Sequence, residues 1–112
     1  MAGNPQVFNQ KEDLQTELEK NLDSIAKQLE KEFVSGDLMK VIEYAIDVIL
    51  YVSYPSKEPV GFDIGLTTGG PNISLVYSRG VCELRGSWGD ATATRHVDNE
   101  ICETIIQDYL SS

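Results

Sequence analysis

The chain has 112 residues, of which 41% are apolar and 24% charged, a composition that fits one globular domain able to bury a core without a metal or disulfide. Nine basic and eighteen acidic residues give a net charge of −9, with 6 basic and 11 acidic residues up to residue 59 and 3 and 7 beyond it. With no basic patch, direct binding to DNA, RNA or an anionic membrane is excluded as an expectation, and the acidic surface suits a basic protein partner.

In chain order, residues 1–8 read as a flexible leader and residues 9–112 as one domain. The opening "MAGNPQVFNQKED" has neither the basic nor the apolar region of a signal peptide. Asn9 followed by Glu12 is a capping-box arrangement. Leu14, Leu18, Leu22, Ile25, Leu29 and Phe33 then recur at helical spacing, which predicts a helix over 10–34 with a charged outer face. Asp23 and Lys27 form a favourable i,i+4 pair on that face, and Ser35-Gly36 stops the helix.

Asp37 is the expected cap of a second helix. Lys40, Glu43 and Asp47 form a narrow polar stripe at i, i+3, i+7, which predicts a mostly buried helix to about residue 50. Its tail, "DVILYVSY", is also rich in β-branched and aromatic residues and has the composition of a strand. Pro55 ends the element, and 53–59 is a connection. The most apolar run, 41–54, carries Glu43 and Asp47 and is too short to span a bilayer.

From residue 60 the apolar period changes to two. Gly69-Gly70, Arg79-Gly80 and Gly89-Asp90 punctuate four alternating runs, which predicts three hairpins and a four-stranded antiparallel meander. Two-residue turns set the registers: Leu66 opposite Ile73, Ile64 opposite Leu75, Tyr77 opposite Cys82, Trp88 opposite Ala91. Most apolar residues then share one face. Arg95 also falls on that face, opposite Leu84, and is expected to snorkel out at the sheet edge or to mark a bulge. Asp98 caps a last helix with the stripe Ile101, Cys102, Ile105, Ile106 and Tyr109. The expected fold is α+β, two-layered, in the order α-α-β-β-β-β-α, with the helices on one sheet face.

No motif for chemistry emerges. "TTGGPN" lacks the lysine of a phosphate-binding loop and precedes a strand, so it reads as a turn. Cys82 and Cys102, 20 residues apart without C-x-x-C, read as reduced buried thiols of a cytoplasmic protein. His96, the only histidine, points outward opposite Glu83, away from Cys82, so neither a cysteine nucleophile nor an acid–base pair is built. One histidine and scattered carboxylates make no metal site, and Asp63 with Glu83 on a flat face make no glycosidase. No cofactor is expected.

Two surfaces are left as candidate protein-binding sites. One is the helix face bearing Glu12, Glu19, Asp23 and Glu30. The other is the outer sheet face bearing Asn72, Ser74, Glu83, Arg85, Ser87, Thr92, Thr94 and His96. The segments "LTTGGPNISLV" and "CELRGSWGDATATRHV" resemble small uncharacterised proteins of phages and other mobile elements, in which a Leu-x-Thr-Gly-Gly-Pro turn precedes a strand pair and a Trp-Gly turn. The resemblance covers roughly residues 64–89 and transfers no catalytic residue. It implies a small accessory protein that acts on a host or rival machine. The sequence reading is therefore a non-enzymatic inhibitor- or immunity-type module that occupies a basic surface on a partner. Its alternative is a homo-oligomeric structural or chaperone-like protein pairing through its sheet as a homodimer.

Overall fold

A computed structural model describes residues 10–110. The expected leader, Asn9 and its capping box lie outside the described residues. The first helix, α1 (Gln10–Ser35), is followed by α2 (Met39–Glu43) and then by β1 (Asp47–Val52), β2 (Pro59–Thr67), β3 (Asn72–Ser78), β4 (Val81–Trp88) and β5 (Ala91–His96). Helix α3 (Asn99–Ile105) runs on into a π-helical turn (Ile106–Leu110). The strands form one antiparallel sheet in the order β1-β2-β3-β4-β5.

The fold is α+β as expected, but the sheet has five strands, not four. The second helix is a single short stretch, and Asp37 does not cap it through its side chain; Leu38 is the N-cap. Residues 47–52 are strand. The stripe of Lys40, Glu43 and Asp47 mimics a helix period. Beyond Asp47, however, the side chains are mostly β-branched or aromatic, and β2 gives them a partner. A turn through residues 53–58 closes the hairpin, with Ser53 N–H donating to Glu58 O at 2.9 Å. Val48 lies opposite Ile64, and Leu50 opposite Phe62.

The remaining registers are set by their turns. Arg79 and Gly80 both have positive φ, 54° and 77°, as a two-residue hairpin requires, and Tyr77 faces Cys82. Trp88 faces Ala91 across Gly89-Asp90. The β2–β3 turn differs from expectation. Ile73 pairs with Thr67 rather than Leu66, because β2 bulges between Gly65 and Thr67. In the loop between the two strands, Thr67 Oγ1 donates to Pro71 O at 2.7 Å.

One face of β2–β5 carries Phe62, Ile64, Ile73, Leu75, Cys82, Leu84 and Ala91. All are buried with Leu18, Leu22, Ala26 and Leu29 of α1 and Ile101, Cys102 and Ile105 of α3. Gly86 lets α1 sit close. A Cβ there would lie 2.7 Å from Leu18 Cδ1 and 3.2 Å from Leu22 Cδ2. Gln15 Nε2 adds a hydrogen bond to Thr92 O at 2.8 Å, fixing the helix along β5. At the other end of the core, Asp98 accepts from Glu100 N–H and caps α3. Asn99 donates to Gly80 O at 2.6 Å and accepts from Cys82 N–H at 3.2 Å, tying α3 to the β3–β4 turn.

Cys82 and Cys102 are not free thiols. They form a disulfide between β4 and α3, with Cα atoms 5.9 Å apart and both residues fully buried. Spacing along the chain could not reveal this, because the meander and α3 together bring the two positions into register. The bond closes a 20-residue separation, for which loop entropy gives about 3 kcal/mol. Urea unfolding with and without reductant should differ by about that amount. Identical midpoints would mean that the bond does not constrain the unfolded chain. The substitution Gly86→Val is expected to cost about 1–3 kcal/mol by pushing Leu18 and Leu22 out of the core, with Gly86→Ala milder. An unchanged melting temperature for Gly86→Val would contradict this close approach.

Candidate interaction surface

The expected helix-face residues do not form a free acidic patch. Nothing is described of the Glu12 side chain. Glu19 is exposed and accepts from Gln15 Nε2 at 3.0 Å, while Glu30 is exposed. Asp23 is engaged by the fold itself. Lys27 Nζ lies 3.0 Å from Oδ2, and Arg95 Nη2 and Nε lie 3.0 and 3.2 Å from Oδ1. Arg95 therefore resolves its awkward inward position by reaching the edge of α1, where Nη1 also donates to His96 O at 2.8 Å. The ion pair bridges helix and sheet.

The outer-face residues share one side of the sheet, as their registers require. Ser74 lies opposite Arg85, Asn72 opposite Ser87, Glu83 opposite His96 and Arg85 opposite Thr94. Arg85 Nε donates to Glu83 Oε1 at 3.0 Å, so both members of the pair are turned toward each other. Asn72, Arg85, Thr92, Thr94 and His96 are exposed, and Ser74, Glu83 and Ser87 are half-buried. The face is mostly polar and mixed in charge, with Val76 buried on it and a hollow bounded by Arg85, Thr92 and Thr94. Among the described residues, no three metal-ligating side chains converge, and no helix is long and apolar enough to cross a membrane.

The largest unexplained surface lies where the sequence pattern predicts a buried helix. All six residues of β1 are exposed. Val48, Ile49, Leu50, Tyr51 and Val52 retain 38–52% of their accessible area, although Gly61, Phe62 and Ile64 beside them in β2 are buried. Tyr44, Ile46, Tyr54 and Val60 extend the patch. Because neighbours in a strand alternate in side, Val48, Leu50 and Val52 continue the core face, while Ile49 and Tyr51 continue the outer face. Helix α1 packs on β4 and β5, and the π-helical turn reaches β2. The core therefore stops one strand short of the sheet edge.

Beside this shelf, Ile25, Leu29, Val41, Tyr44 and Leu66 line an apolar groove of about 280 Å³ between α1, α2 and β2. Glu43, Asp47 and Glu58 are exposed around the patch. The sequence signal for it is the β-branched, aromatic run 48–54. What hid it was the competing polar stripe.

No family model, curated protein or solved structure matches the chain.

Two hydrogen-bonded cations, Lys27 first and Arg95 second, hold the Asp23 carboxyl below its ordinary value of 3.8. A depressed folded-state pKa stabilises the fold above the unfolded value, and that stabilisation is lost as pH falls through the folded value. The stability advantage of wild type over Asp23→Asn should thus be full at neutral pH and shrink below pH 3.8. Urea midpoints measured across that range check this; a constant gap down to pH ~2 would contradict it.

Proposed function

We propose that the chain is a non-enzymatic protein-binding module, of inhibitor or immunity type, whose docking element is the open edge strand β1. One observation carries the reading: a strand apolar on both faces stands at the sheet edge with all six residues exposed. Contiguous apolar surface on this scale is characteristic of interaction sites. The free N–H and C=O groups of an edge strand add main-chain hydrogen bonds to an incoming chain.

Acidic residues outnumber the exposed Lys40 and Lys57 around the patch, and that balance favours a basic partner. A net charge of −9, with Glu43, Asp47 and Glu58 around the patch and Glu19 and Glu30 on α1, suits a protein whose contact surface is basic. The polar outer face, from Asn72 to His96, is the second contact surface in this reading. A partner of this kind fits an accessory protein that blocks another machine by occupying its surface. A cytoplasmic placement is the alternative to the oxidising compartment that the Cys82–Cys102 bond favours, and thiol blocking in intact cells decides between them. Cys82 and Cys102 that take up the blocking agent there would mark a reducing compartment, whereas a bond already formed in the cell would mark an oxidising one.

Immobilised wild-type protein and the Ile49→Lys variant, exposed to extract of cells carrying the gene, test the docking reading. Wild type should retain a partner at low salt and release it as salt rises, because exposed charges are screened within about 8–10 Å at ordinary ionic strength. Ile49→Lys should lose that partner while melting at the same temperature. Equal retention by the two proteins would remove β1 as the docking element.

A further inference from the structure

We infer that, when no basic partner is bound, β1 pairs with β1 of a second copy, so that two protomers join antiparallel into one continuous sheet that the partner must open. The inference rests on the reading of β1 as the docking strand and names its occupant in the free protein.

Three observations point to self-pairing. First, a strand apolar on both faces has the composition of a central strand, not of an edge. Edge strands are ordinarily blunted by lysine, proline or inward charge, whereas Asp47 is the single charged residue of β1. Adding a second β1 makes the strand central. Second, there is apolar area to cover. The large apolar side chains from Tyr44 to Tyr54, with Val60, are 38–87% exposed, and removing such area from water favours association.

Third, the pattern is self-complementary. A strand pairing antiparallel with its own copy has a two-fold axis through one residue, which closes the assembly at two chains. An axis at Ile49 sets Val48 against Leu50 and Asp47 against Tyr51. An axis at Leu50 sets Ile49 against Tyr51 and Asp47 against Ser53. Either way apolar residues meet on both faces, and the two Asp47 carboxylates stay apart.

The charge predicts the salt response. Two chains of net charge −9 repel. Screening that repulsion should hold or tighten an apolar seam, opposite to acidic-on-basic docking.

Sedimentation velocity over a concentration series tests the seam, using the full chain alone. Wild type should dimerise, with the dimer held or strengthened from ~0.05 to ~0.5 M salt. Ile49→Lys and Ile49→Glu, each alone, should weaken dimerisation by ~10-fold or more, because like charges then meet directly or diagonally across the seam in place of an apolar contact. Mixing the two variants should restore a dimer, which also shows that each keeps its fold. Ile49→Thr, which preserves strand propensity, should weaken it by ~10-fold and serves if the charged variants do not fold.

A wild-type monomer across the series overturns the inference, as does a dimer that all three variants leave intact. If wild type is monomeric but Ile49→Lys still loses its partner from extract, the docking strand stands and its occupant is a different protein. If neither association depends on Ile49, the docking reading fails as well.

Discussion

Burial of one sheet face beneath α1 is the contact on which the rest of this fold depends. The stripe of Leu18, Leu22, Ala26 and Leu29 fills the space over β4 and β5, and it can do so because Gly86 presents no side chain beneath Leu18. Gln15 at one strand and Asp23 with Arg95 at the sheet edge fix the helix along that line. With α1 committed to β4 and β5, coverage of the remaining strands falls to α3 and the π-helical turn, which reach β4 and β2. The exposed edge is thus a consequence of where the helix lies.

That layout explains the contrast between neighbouring strands. Phe62 and Ile64 of β2 are fully buried, while Leu50 and Val48 opposite them are each 38% exposed on the same face. Alternation along a strand decides which side a residue faces, not whether anything lies there. In β4 and β5 the alternation coincides with burial because the helices are present, whereas in β3 Val76 is buried on the outer face as well. In β1 both faces are apolar and both are open, and the strand is held in the sheet chiefly by its ladder with β2.

Much of the fold was legible in the sequence. Arg79-Gly80 and Gly89-Asp90 are two-residue turns with positive-φ glycines, so counting outward from them gives the β3–β4–β5 registers, including Arg95 on the helix side. The period of α1 and the Asp98 cap of α3 were legible for similarly local reasons. The β2 bulge was not, because "TTGGPN" permits turns of more than one length. The Cys82–Cys102 bond was not, because it depends on α3 folding back over β4. Strand β1 was misassigned where two local signals conflicted, and pairing with β2 decided between them. The candidate surface shared that fate. The polar outer-face residues lie where their registers put them, Asp23 belongs to the fold's own ion pairs, and the apolar edge was hidden inside an expected buried helix.

The central claim is that β1 is an interface strand rather than a finished edge. Amide hydrogen exchange of residues 47–52 at increasing protein concentration tests it most directly. The account predicts that the outward-facing amides of β1 exchange freely in dilute solution and become protected as concentration rises, with β3 and β4 unchanged. Exchange in β1 that is the same at every concentration would contradict the self-paired seam.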